Sequence, residues 1–200
     1  MTRSRFEGEI FGIGSESGIR IVVGHWTRSP LGTFTDVMIE FADGHRLLVA
    51  PSHAVREFVM ATYSFDDTAI TPVTCERRGA MALVSAGELV VRIEVGGPTV
   101  LGRVLGVVPA AIATAPWFCA FTDPIARVVL RGVRTRGTAG NDRREYYGAR
   151  MQPRIIAIEG TWDGTDLGQL QPVDPPVRFG FGSTPRSPSC TTITTTIDTA

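Results

Sequence analysis

The sequence predicts a mainly β fold. It reads as an antiparallel β-barrel or cone-like sheet, with a short helix (about 52–62) and a helical apolar insert (about 99–131). Three observations predict it. Short runs of alternating apolar and polar residues recur through most of the chain, at roughly ten-residue spacing. Clusters of Gly, Pro and Asp separate them. The regular strand–helix alternation that builds a parallel doubly wound sheet is missing. With 200 residues and 43% apolar residues, the chain can bury a core and suits a single domain over 1–200.

Each element follows from its pattern. "FEGEIFGIG" (6–14) alternates, and "GIRIVVG" (18–24) follows after a Ser/Gly turn. "DVMIEFADGHRLLVAP" (36–51) reads as a hairpin, with Asp43-Gly44 supplying a tight type I′ turn. That turn would place Asp36, Met38 and Glu40 on one face with His45, Leu47 and Val49. "SHAVREFVMATY" (52–63) reads as a helix. Ser52 is its N-cap, and Val55, Phe58, Val59 and Thr62 form an apolar stripe. Strands resume at "TAITPVTCER" (68–77), "AMALVSAG" (80–87) and "ELVVRIEVG" (88–96). After the insert, Asp123-Pro124 marks a helix start. The last third returns to strands at "GVRTRG", "REYYGARM", "RIIAIEGTW", "VRFGFGS" and "CTTITTTI".

Composition excludes several chemistries. Acids and bases balance at 20 each, so no global field favours nucleic acid or an acidic membrane. All the basic residues are arginine. Without lysine there can be no Schiff-base lysine, P-loop lysine or kinase-type lysine. Cys75, Cys119 and Cys190 are widely spaced and form no Cys-x-x-Cys pair. That usage fits a reducing cytoplasm, and the N-terminus carries no apolar signal segment. The stretch "VLGVVPAAIATAPWFCAFT" (104–122) is uncharged but broken by Pro109 and Pro116. It predicts short buried helices or an apolar lid over a pocket rather than stable membrane insertion. An anchor on a membrane surface is a third, weaker reading.

The candidate sites are few. "RFGFGSTPR" (178–186) resembles a phosphate loop, but it lacks lysine and a third glycine, and Pro185 blocks the helix. It reads either as a bent strand or as a bare strip of backbone at Gly180 and Gly182, with Arg178 or Arg186 near a ligand's anionic end. The segment 127–154 holds eight arginines against Asp142 and Glu145. In its strand, Arg144, Tyr146, Gly148 and Arg150 share one face, which could line an anion pocket or lie in solvent. Basic and aromatic residues interleave in that strand alone, so nucleic acid is not the expected partner. Asp36, Glu40 and His45 mix titratable groups with apolar ones, as a ligand-filled lumen or a half-exposed sheet face would. No Gly-x-Ser-x-Gly elbow occurs. The three histidines, 25, 45 and 53, are scattered, so no metal site and no cofactor are expected.

One stretch carries a resemblance. In "HWTRSPLGTFTDVMIEF" (25–41), Ser29-Pro30-Leu31-Gly32-Thr33-Phe34-Thr35-Asp36 resembles the Ser-Pro-x-Gly-Pro-Tyr-x-Glu motif of the acetoacetate decarboxylase-like family. The end of the chain, "WDGTDLGQLQPVDPP" and its closing strand, is loosely similar to the end of that family. The resemblance implies a β-cone around an apolar pocket, with Asp36 standing where the family has its pocket glutamate. The family's decarboxylases use a lysine as Schiff base. Where the family reads Trp-Gly-x-Pro-Lys, this chain reads "REFVMATYSF" (56–65), so decarboxylation by that route is not implied.

Two functions are therefore expected from the sequence. The first is binding of a small, mostly apolar molecule with an anionic end, held by Arg144, Arg150 or Arg178. The second is a lysine-independent enzyme acting on a small carboxylic or keto acid, with Asp36 or Glu40 as acid or base and His45 assisting. The oligomeric state stays open, a homo-oligomer included.

Overall fold

A computed structural model describes residues 2–107, 136–139, 143–180 and 184–199. Its elements are β1 (Thr2–Ser15), β2 (Arg20–Arg28), β3 (Phe34–Glu40), β4 (Arg46–Ala50), α1 (His53–Met60), β5 (Asp67–Ile70), β6 (Val73–Arg78), β7 (Met81–Ala86) and β8 (Leu89–Pro98). They continue with α2 (Val100–Val107), β9 (Arg136–Ala139), β10 (Arg143–Met151), β11 (Pro153–Trp162), β12 (Thr165–Asp166), β13 (Leu170–Gln171) and β14 (Ser189–Thr199). The fold is mainly β, as its alternating sequence requires.

The strands form one curled sheet, with the main path β5-β4-β3-β2-β1-β14-β11-β8-β7-β6. Neighbours are antiparallel except β4 and β5, which run parallel across the α1 crossover. The two ends of this path, β5 and β6, are joined by Thr71 and Pro72 alone. A two-residue link between opposite edges requires the sheet to roll back on itself. The predicted single strand 68–77 is thus two strands. Pro72 has no N–H to continue a ladder, and it marks the place where the chain changes edge.

Period-two alternation gives the sheet two faces. On one face Phe11, Ile13, Ile21, Val23, Val37 and Ile39 pack against Val84, Leu89, Val91 and Ile93, all fully buried. Burying each such side chain contributes about 1.5–3 kcal/mol. The opposite face of β1–β4 meets α1, where Phe6, Phe34, Leu48, Val55, Val59 and Ile197 make a second cluster. The segment 173–179 then straps across, with Val173, Val177 and Phe179 packing on Val22. β14 is threonine-rich because it is clamped between β1 and β10, where β-branched residues suit both ladders.

The predicted helix is α1. Ser52 caps it, its hydroxyl accepting from Val55 N at 3.3 Å, and Val55 and Val59 form the buried stripe. The hairpin is present, but its register differs from the expected one. Only Gly44 is left-handed, at φ +90°, whereas a type I′ turn needs two such residues. The loop is instead the five residues 41–45, with Asp43 Oδ1 accepting from His45 N at 2.9 Å. Val37 faces Val49 and Met38 faces Leu48. That one-residue slip reverses every side chain of β4 relative to β3. Met38 therefore shares its face with Leu48, while Leu47 and Val49 join the other core.

The stretch 177–180 forms no ladder, which corrects the predicted strand. Val177 and Phe179 do point inward, but as part of the strap. Residues 181–183 and the helical insert beyond Val107, as far as 131, lie outside the described residues. Among the described residues no helix is long and apolar enough to cross a membrane.

Candidate functional site

The candidate site grows from one cross-strand pair. In the β2–β3 register Gly24 faces Asp36, and Trp26 faces Phe34. Gly24 has no side chain, so the Asp36 carboxyl can lie across it. Trp26, two residues along the same face, then donates from Nε1 to Asp36 Oδ1 at 3.0 Å. A Cβ on Gly24 would sit 2.6 Å from Asp36 Oδ1 and 2.7 Å from Trp26 Nε1. The glycine is what makes room for the pair.

Asp36 is buried, with 3% of its surface exposed. Burial raises its pKa from 3.8 to about 7, and the hydrogen bond from Trp26 offsets only part of that. Charge without water is costly in such surroundings. The surroundings are a cavity of about 50 Å³, several times the roughly 10–15 Å³ that one water needs. Its walls include Phe6, Trp26, Phe34, Phe58, Tyr63 and Tyr147, and Asp36 is the one charged residue among the described residues that line it. The tyrosine hydroxyls bond to each other, tying the turn after α1 to β10. Thr195, on β14, also lines the cavity. Its Oγ1 is buried without a hydrogen-bond partner among the described residues. A buried hydroxyl in that condition is uncommon in folded proteins and calls for an explanation.

Of the predicted residues whose side chains are described, Asp36 lines the cavity and the others do not. Glu40 shares Asp36's face of β3 but is fully buried against two arginines. Its Oε1 lies 3.3 Å from Arg20 Nη2 and accepts from Arg178 Nε at 2.9 Å, while Oε2 accepts from Arg178 N at 2.6 Å. It anchors the strap to the hairpin. His45 sits in the hairpin loop, half-exposed, with Nε2 3.2 Å from Asp67 Oδ2. The register slip removes it from the face of Asp36.

Those predicted anion-binding residues that are described do not line the cavity. Arg178 is bound to Glu40, and its side chain is 67% exposed. Arg150 is exposed and Tyr146 half-buried, and neither lines the cavity. The side chain of Arg144 and all of Gly182 lie outside the described residues. The inward residue of β10 is Tyr147, so the face expected to bind is the opposite one. Gly180, at φ +142°, lies against Tyr63, and a Cβ added there would meet Tyr63 Cδ1 at 3.6 Å. Gly180 is exposed and does not line the cavity.

His25 bonds Thr35 across the opposite face of the sheet, at 2.9 Å, and burial lowers its pKa. Among the described residues no three His, Cys, Asp or Glu side chains converge to hold a metal ion. Gly24, Trp26, Tyr63, Tyr147 and Thr195 are the site residues that sequence reasoning missed. Ending the second strand at Gly24 concealed Trp26. Continuing the alternation Val22, Gly24, Trp26 would have placed it beside Asp36.

No family model and no curated protein matches the sequence. Among solved structures, the chain is similar to the crystal structure of acetoacetate decarboxylase from Legionella pneumophila, with 9% identity and a TM-score of 0.46, over 99% of this chain and 85% of that one. Identity that low transfers no residue role and no activity.

Proposed function

We propose that this protein binds a small, mostly apolar molecule in the cavity beneath α1, with Asp36 as its polar anchor. The observation that carries the reading is the conjunction of an aromatic-walled cavity with a buried carboxyl and the unpartnered Thr195 hydroxyl. A few convergent polar groups in an apolar concavity are the usual composition of a small-molecule site. The anionic end expected from the sequence is not retained, because the described lining offers no arginine to hold it.

Calorimetric titration with compact alcohols and ketones tests the proposal. Saturable one-to-one binding is expected, and Val59→Phe, which fills the cavity from α1, should abolish it. No saturable binding to the unaltered protein, or binding unchanged in Val59→Phe, overturns it.

A second reading is favoured by the Asp36 pKa of about 7. A carboxyl poised there can both take and give a proton near neutrality, as acid–base catalysis requires. In that case Asp36→Asn abolishes turnover of the bound molecule. Turnover that survives the substitution removes Asp36 from any mechanism.

A further inference from the structure

We infer that the cavity selects a small organic cation, a protonated amine, over an acid of the same size. The inference rests on the binding reading and names its ligand class. It is carried by the sign of the electrostatics at the wall.

Aromatic side chains present an electron-rich face and an electron-poor edge. Here Phe6 sits at the centre of a packed group. It meets Trp26 at 5.7 Å and 74°, Phe34 at 6.4 Å and 84°, and Phe58 at 4.8 Å and 34° between ring centroids and planes. Trp26 and Phe34 are 6.4 Å apart. All four of these rings line the cavity together with Asp36. Faces of this kind attract an ammonium group, most strongly when it is desolvated.

Asp36 adds a carboxyl to the same wall, and no described lining residue is basic. An acid entering the cavity would bring a second carboxylate against Asp36 with no arginine among the described lining residues to compensate, and like charges at short range in an apolar site disfavour each other. An ammonium would meet a carboxylate and ring faces together, and Thr195 Oγ1 can accept one of its N–H groups. The volume limits the ligand to about three to five heavy-atom positions.

Three compact probes of about five heavy atoms each separate charge from size: tert-butylammonium, tert-butanol and propionate. They are titrated into the intact protein by calorimetry near pH 8, where Asp36 is mostly ionised. The expected order is tert-butylammonium first, by about tenfold over tert-butanol, with propionate last. Asp36→Asn should abolish the preference for the ammonium over the alcohol. The ranking on the unaltered protein decides the matter even if the variant folds poorly. If propionate equals or exceeds the ammonium, or the ammonium preference survives Asp36→Asn, the cation assignment is overturned. If the alcohol binds and the ammonium binds no better, the cavity reading stands and the cation assignment fails. If none of the three binds, both fail.

Discussion

Asp36→Asn should make the protein's stability less dependent on pH, in a defined direction. The Asp36 carboxyl rises from 3.8 to about 7 on folding because burial removes its water. The folded chain therefore keeps this proton to higher pH than the unfolded chain does. Stability associated with the group is fully present below the unfolded value. It declines as pH rises through the window from 3.8 to about 7, and it is lost above that window. A difference of about three pH units, at about 1.4 kcal/mol per unit, gives roughly 4 kcal/mol across it. Asparagine has nearly the same shape, stays neutral and still accepts from Trp26 Nε1. Its extra N–H groups cost about 1–3 kcal/mol if they find no partner, and that cost does not vary with pH.

Urea denaturation of both proteins, from about pH 4 to pH 9, measures the difference. The variant should gain on the parent by several kcal/mol as pH rises through the window, then run parallel to it. A stability difference that is flat over the whole range would refute the burial argument for Asp36.

Three further substitutions test the framework around the site. Gly24→Ala places a Cβ 2.6 Å from Asp36 Oδ1. It should break the Trp26–Asp36 bond at a cost of about 1–3 kcal/mol, read as lost stability and altered Trp26 fluorescence. Glu40→Gln leaves the buried Arg20 without its countercharge and should cost about 3–5 kcal/mol by denaturation, with faster proteolysis of the strap at 173–179. Ser52→Ala removes the α1 cap and should cost about 1 kcal/mol. In a cavity formed partly by α1, it should also weaken binding of tert-butanol.

The β class was legible because alternation is a direct consequence of strand geometry, and it survives any particular topology. Ser52 and the Val55/Val59 stripe were legible for the same reason: capping and helical periodicity are local. Topology-dependent features were not. The Asp43-Gly44 pair gives a turn in either register, and local sequence does not choose between two and five loop residues. The slip carried His45 away from Asp36.

In β10, alternation separates Tyr146 from Tyr147 but cannot say which of the two faces is inward. That choice depends on the curl of β14, more than forty residues later in the chain. "RFGFGSTPR" has the inward phenylalanine its pattern implies at Phe179. What the pattern could not show is that Glu40, 138 positions earlier, receives Arg178. Asp36 was legible as an acid among apolar residues. Gly24, the residue that lets it pair with Trp26, became visible only when the two strands were set in register.

The central claim is that the space beneath α1, bounded by Asp36, is a ligand site. The most direct test is a methyl NMR titration of the intact protein with tert-butanol. Saturable shifts are predicted at Val22, Met38, Val59 and Ile197, which line the cavity. Shifts that never saturate, or that fall on the exposed Leu83 and Val90 of the outer sheet face and spare the cavity methyls, would contradict it.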